Sequence, residues 1–245
     1  MPIPLCGCHP GFPLAPGRRG LAGLAAGALV AASLPGAARA ADPVRKTDLT
    51  PNQALARLKE GNERFVTDAP FRAAQGRERR VELARGQAPF CVLIGCSDSR
   101  VPPELLFGRG LGELFIVRNA GNTVDTAALG SVEYGVGVLG CPLIVVLGHE
   151  SCGAVAAAVD AVERDASFPG VIGEMIQPII PAVLTARREG GRTLDAAVQA
   201  NARRVAMRLR TQSAVLQQAL TAGRLKIVPA HYDLDDGEVH WLEQG

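Results

Sequence analysis

Phe90-Cys91-Val92-Leu93-Ile94-Gly95-Cys96-Ser97-Asp98-Ser99-Arg100 runs from five apolar residues into a string of polar and reactive ones. Leu143-Ile144-Val145-Val146-Leu147-Gly148-His149-Glu150-Ser151-Cys152 repeats that layout fifty residues later. A third apolar run, Leu114–Val117, lies between them. None of the three alternates with polar residues. Short, continuous Val/Ile/Leu runs fit strands buried on both faces, as in a parallel sheet. Asp125–Leu139 precedes the last run and Cys152–Arg164 follows it, both with helical composition. Strand and helix in alternation predict an α/β fold: a mostly parallel central sheet of four to five strands flanked by helices.

Working outward, the N-terminal side reads as helical arms. Thr50 offers an N-cap with Pro51 at the first helical position, and the helix runs to about Val66. A second, highly charged helix is expected near Ala74–Arg85. Both have weak apolar faces, so they are expected to lie on the body of the domain or on a partner subunit. On the C-terminal side, helices are expected over Gly173–Arg188, broken by Pro178 and Pro181, and over Thr193–Ala222. A strand Leu225–Tyr232 is expected to pair with Glu238–Leu242 across the turn at Asp235-Asp236-Gly237. Residues 51–245 thus form one domain, preceded by a polar linker at 41–50.

The first forty residues read as an address. They hold no Asp or Glu. Arg18-Arg19 precede an apolar stretch, Gly20–Leu34, which leads to Ala38-Arg39-Ala40. Basic pair, apolar run and small-x-small site make a signal peptide cut near Ala40-Ala41. The run is short of the ~20 residues that span a bilayer, so no stable membrane anchor is expected; an uncut signal anchor is the alternative. The paired arginines suggest the twin-arginine route. The product is expected to be periplasmic or secreted.

Composition excludes several classes. The 245 residues carry 26 Lys+Arg and 24 Asp+Glu, with 47% apolar residues. Losing residues 1–40 removes three arginines and no acid, which turns the net charge of +2 slightly negative. A nucleic-acid binder would show a basic face or stripe, and none is expected. Six Cys are too few for a disulfide-dense scaffold.

In open α/β sheets ligands bind beyond the carboxyl ends of strands. Cys96, His149 and Cys152 stand there. If their strands are neighbours, two thiolates and an imidazole converge, a set suited to Zn2+. Three protein ligands leave a fourth position open, the catalytic rather than the structural arrangement. Taken singly, each residue has a plainer reading: a buried thiol or a hydrogen-bonded loop histidine. Cys91 and Cys141 are read as buried thiols, and His231 and His240 as residues of the last strands.

Several segments together resemble the β-class carbonic anhydrases. They are Gly61-Asn62-Glu63-Arg64-Phe65, Cys96–Val101, Arg118-Asn119-Ala120-Gly121-Asn122, Glu133-Tyr134 and Gly148–Gly153. The resemblance covers most of the chain beyond Leu58. It implies one Zn2+ per chain held by Cys96, His149 and Cys152, with water or hydroxide as fourth ligand. It implies reversible hydration of CO2 to bicarbonate by zinc hydroxide. It gives Asp98 the role of accepting a hydrogen bond from the zinc-bound water, and Arg100 that of holding Asp98 off the metal. Gln87, Phe115 and Tyr134 match the subclass with Gln, Phe and Tyr around the substrate pocket. The other subclass has a Trp where this chain has Leu93, so an open site is expected rather than one closed by Asp98. Gly153, opening a helix, is read as an N–H donor to bicarbonate. The resemblance places Gln and Tyr across a dimer interface, so a homodimer or dimer of dimers is expected.

Three rivals remain at this stage. Carbonyl sulfide or carbon disulfide hydrolysis would use the same ligands. A noncatalytic zinc or bicarbonate-binding module would lack need of Asp98, Arg100 and Gln87. A structural zinc site would need Asp98 as a fourth fixed ligand.

Overall fold

The three apolar runs are strands, Cys91–Gly95 (β1), Leu114–Arg118 (β2) and Leu143–His149 (β3), in the computed structural model of the protein. The structure describes residues 45–70 and 72–243. The expected export signal and its cleavage point lie outside the described residues. Two more strands, Lys226–Tyr232 (β4) and Val239–Trp241 (β5), complete a sheet of order β2-β1-β3-β4-β5. The first four are parallel, and β5 is antiparallel to β4 across the expected turn. β1 and β3 are each buried along their whole length. β2 is only half-buried throughout, contrary to the expectation of burial on both faces. Its apolar run sits at the sheet edge, where one side has no neighbouring strand.

Alternate residues of the central strands feed two layers, as the two-residue period of a strand dictates. Val92, Ile94, Ile144, Val146 and Ile227 pack with Val132, Val205, Leu209 and Leu216 on one face. Cys91, Leu93, Leu143, Val145 and Leu147 pack with Ala54, Leu58, Leu106 and Phe107 on the other. Each such fully buried aliphatic side chain stabilises the fold by about 1.5–3 kcal/mol.

The helices are Pro51–Val66 (α1), Arg77–Leu83 (α2), Pro103–Leu106 (α3), Thr126–Glu133 (α4), Gly153–Arg164 (α5), Ile172–Ile176 (α6), Ile180–Arg188 (α7), Leu194–Gln212 (α8) and Ala214–Thr221 (α9). α1 begins as expected. Thr50 Oγ1 accepts from the Gln53 N–H, and Gln53 Oε1 accepts from the Thr50 N–H at 2.9 Å. The helix lies on its own domain. Gly61 makes this possible, since a Cβ there would sit 1.9 Å from the Phe107 carbonyl oxygen. Buried Asn62 then donates to Gly237 O (2.9 Å) and accepts from the Val239 N–H (2.8 Å), tying α1 to the β4–β5 turn. α2 has no buried residue and is shorter than expected.

Of three helical expectations, two need correction, and the break of Gly173–Arg188 at its prolines is as expected. Asp125–Leu139 is α4 followed by a wider π turn, Tyr134–Val138, which accommodates Gly135 and Gly137. Gly173–Arg188 breaks at its prolines into α6, a tight turn at Gln177–Ile179, and α7. Thr193–Ala222 breaks at Ser213, whose hydroxyl accepts from the Leu216 N–H and donates to Glu133 Oε1 at 2.7 Å.

Candidate active site

β1 and β3 are direct neighbours, so their carboxyl ends deliver Cys96 and His149 side by side. Cys152 is the N-cap residue of α5. The Cys96 and Cys152 sulfurs are 4.0 Å apart, and the ligating atoms of all three residues lie within 4.8 Å of one another. His149 and Cys152 are wholly buried and Cys96 nearly so.

The histidine is oriented as a ligand should be. Its Nδ1 lies 2.8 Å from the Glu150 carbonyl oxygen, a contact that needs the proton on Nδ1. Nε2 is then a lone-pair acceptor, buried, with no hydrogen-bond partner. A second ring nitrogen fixed by a backbone carbonyl is the usual companion of a metal-binding one. Glu150 itself is held, accepting from the Leu234 N–H at 3.1 Å.

The two thiols share their protons unequally. A hydrogen bond from Cys152, with one from the Gly121 N–H, favours Cys96 as thiolate. Cys152 is pushed up, because it donates to Cys96 and is buried against it. Without a cation the second proton stays, held by the first negative charge; a divalent metal would release it. An unpaired buried imidazole nitrogen beside two thiols of this kind fits Zn2+, and its donors are the soft-to-borderline set zinc takes.

Asp98 stands over this group, its Oδ2 3.9 Å from His149 Nε2. Both of its oxygens are claimed by Arg100. Nε donates to Oδ1 at 2.9 Å and Nη2 to Oδ2 at 2.7 Å, and the Arg100 N–H adds a bond to Oδ1 at 2.9 Å. That fork holds the Asp98 carboxyl well below the usual carboxylate range. Arg100 also reaches the Ser151 carbonyl at 3.4 Å, linking the two ligand loops.

Two supporting residues had been given no role. Arg118, at the end of β2, donates from Nε to Cys96 O (2.8 Å) and from Nη2 to Asp98 O (2.5 Å). It pins the backbone on both sides of Ser97. Asn201, buried in α8, donates to Gly121 O at 2.9 Å. Gly121 has φ of 66°, and its N–H reaches Cys96 Sγ at 3.3 Å. The sequence signal for Asn201 was an amide three and four residues after Val198 and Ala197, on the buried face of α8. A cleft of about 810 Å3 opens beside the loop, with Ser97, Asn119, Met175 and Leu209 in its walls.

The sequence-predicted residues fall into two sets. Cys96, His149, Cys152, Asp98 and Arg100 come together. Gly153 opens α5 beside them and is exposed, with no atom within 4 Å of a Cβ built there. Gln87, Phe115 and Tyr134 do not join them within one protomer. Gln87 is exposed and precedes β1, while Cys96 follows it. Phe115 is level with Val92, and its ring lies 6.1 Å from that of half-exposed Tyr134.

A family model described as carbonic anhydrase matches residues 91–239. Carbonic anhydrase 2 of Mycobacterium tuberculosis is 45% identical over 181 residues, covering 74% of this chain and 87% of its own. A β-carbonic anhydrase of Aspergillus fumigatus superposes with TM-score 0.61 at 27% identity, over 79% of this chain and 91% of that one. A structure described as a tetrameric β-carbonic anhydrase, from Sordaria macrospora, superposes with TM-score 0.60 at 27% identity, over 66% of this chain and 85% of that one. With sheet order, ligand geometry and sequence in agreement, the chain belongs to the β-class carbonic anhydrases, zinc-dependent carbonate dehydratases.

Proposed function

We propose that this chain catalyses the reversible hydration of CO2 to bicarbonate and a proton. The observation that carries the reading is the buried Cys96, His149 and Cys152 group, with an unpaired Nε2, lying under a carboxylate that Arg100 holds in place. Zn2+ held by these three side chains supplies a Lewis acid that makes water a nucleophile near neutral pH.

The chain's own residues do the rest. Asp98, with its negative charge secured by Arg100, accepts a proton-bearing donor and sets its direction. Because Arg100 occupies both Asp98 oxygens, the carboxylate is restrained from acting as a fourth ligand. This supports the open site and counts against a structural zinc. Arg118 and Gly121 fix the Cys96 loop so that Asp98 keeps its position. The Gly153 N–H, at the N-terminus of twelve-residue α5, is placed to donate to an anionic product.

Gln87, Phe115 and Tyr134 line the substrate pocket, which Gln87 and Tyr134 reach across a subunit interface, and this makes the working unit a homodimer or a dimer of dimers. Their position at the amino-terminal side of the sheet supports this, since β1 separates Gln87 from the Cys96 of its own chain. Among the described residues no helix is long and apolar enough to cross a membrane. Residues 1–40 act as a twin-arginine signal, cut near Ala40-Ala41, and the single domain 51–245 works in the periplasm or outside the cell. No observation favours carbonyl sulfide or carbon disulfide as substrate.

The test is stopped-flow CO2 hydration by residues 41–245, with zinc measured on the same sample, beside Asp98→Asn. Rapid, zinc-dependent hydration that Asp98→Asn removes while keeping its zinc is the expected result. Zinc at one per chain without hydration would refute the catalytic reading. Zinc lost together with activity in Asp98→Asn would make the metal structural.

A further inference from the structure

A second recess, of about 310 Å3, lies between α7, α8 and β4 and shares no lining residue with the zinc group. Three arginines of α8, Arg203, Arg204 and Arg210, line it. Arg203, Met207 and Arg210 fall on one helical face by spacing, and Arg204 flanks it. Three guanidinium groups in so small a space repel one another. One acid, Glu189, also lines the recess.

The arginines are poorly matched with protein acceptors. Arg204 Nε is buried and has no hydrogen-bond partner. Arg203 has one long contact, 3.4 Å from Nε to the Glu243 carbonyl. Arg210 donates to the Ile227 carbonyl, not to a carboxylate, and burial weakens its hold on its proton. A buried guanidinium nitrogen left unpaired costs roughly 1–3 kcal/mol or more. An oxyanion seated in the recess would supply acceptors to the accessible edges of these guanidinium groups, because the planar fork of Arg matches carboxylate geometry. Thr185 apart, the rest of the lining, including Ala206, Met207 and Pro229, is apolar. It suits an anion with a hydrocarbon body, and the volume is at the small end of ligand pockets.

We propose that this recess binds a short-chain organic carboxylate, with its head on Arg204 and its apolar body against Ala206 and Pro229. The inference does not rest on the zinc chemistry.

The experiment is calorimetric titration of the full-length, zinc-loaded protein with butyrate and with acetate at constant ionic strength. Arg204→Gln, Arg204→Lys and Arg210→Gln are titrated alongside. Saturable one-to-one binding of butyrate, tighter than acetate, is expected. Arg204→Gln should weaken it by at least about tenfold, the loss of one charge-assisted hydrogen bond. Arg204→Lys should weaken it less. Zinc content and melting temperature of the variants, measured in parallel, should match the parent, which separates lost binding from lost folding. No saturable binding overturns the proposal. So does butyrate binding that survives both Arg204→Gln and Arg210→Gln, because the anion then sits elsewhere. Equal binding of acetate and butyrate overturns the role of the apolar wall.

Discussion

Replacing Asn201 with Ala should disturb the zinc ligands through a chain of two hydrogen bonds. The Asn201 side chain is buried, and its Nδ2 donates to Gly121 O at 2.9 Å. Gly121 in turn gives its N–H to Cys96 Sγ at 3.3 Å. Truncation removes one hydrogen bond, worth about 1 kcal/mol net, and strands a buried carbonyl, at roughly 1–3 kcal/mol more. The sum is about 2–4 kcal/mol. For a chain of this size each kcal/mol moves the melting temperature by roughly 2–4 °C, so a drop on the order of 4–16 °C is expected. The freed peptide also loosens the N–H to sulfur bond. Loss of such supporting contacts typically weakens metal binding about 10–100-fold. Thermal melting at fixed free zinc, with competition against a chromogenic chelator, reads both effects. Asn201→Leu keeps the volume and removes the donor, and Asn201→Asp keeps the shape but turns a carboxylate toward the carbonyl. Asp should be the worst of the three. A leucine variant that melts and holds zinc like the parent would refute the reasoning, since the cost would then be a cavity and not a bond.

Burial of His231, with His240 stacked beside it, pulls its pKa below the ordinary 6.5 against the opposing pull of Asp195, 3.7 Å away. The unfolded chain therefore takes up this proton first. The stability that neutral His231 contributes is present above about pH 6.5 and is lost as pH falls from there toward the folded value. His231→Gln should flatten the fall in melting temperature between pH 7.5 and 5.5, and an unchanged slope would refute this. Chelation of zinc from residues 41–245 should release one fast-reacting thiol at pH 6–7, Cys96. Cys141, pushed up to about 12 by burial, and Cys91, pushed up likewise, should stay silent in a thiol-reagent assay. Mixing Gln87→Ala with Cys96→Ser protomers, each inactive, should restore about a quarter of the parental rate if Gln serves the partner's site. No recovery after subunit exchange would place Gln87 at the site of its own chain instead.

What was legible in the sequence was local or strongly patterned. The apolar runs of β1 and β3 are too long and too free of polar residues to be anything but buried strands. Thr50 and Pro51 mark the start of α1, and Gln53 closes the cap in the structure. Cys96 and His149 were readable because each stands at the end of an apolar run, and Cys152 because it leads into the next helix three residues on. The burial of β2 was misjudged, because an edge strand and a central strand carry the same apolar run and differ only in their neighbours. The break at Ser213 was missed for a similar reason. Its cause is a hydrogen bond to Glu133, eighty residues away, and no local signal announces it. Arg118 and Asn201 were given no role because each acts on a backbone carbonyl, an acceptor that every residue has and no motif records.

The two ends of the sheet carry different parts of one argument. A strand advances about 3.3 Å per residue, so β1 alone sets Gln87 well over 10 Å back from Cys96. Phe115 and Tyr134 lie on that same side, along an edge strand that is only half-buried. Everything that holds the metal is complete within a single chain: ligands, carboxylate, arginine fork and backbone supports. Gln87 and Tyr134, read as pocket lining, are exposed at the far end, away from that chain's own Cys96, His149 and Cys152. Zinc affinity should therefore follow the folding of one protomer, whereas turnover should follow association. The two quantities will separate on dilution if Gln87 and Tyr134 belong to the pocket, and both will persist if they do not.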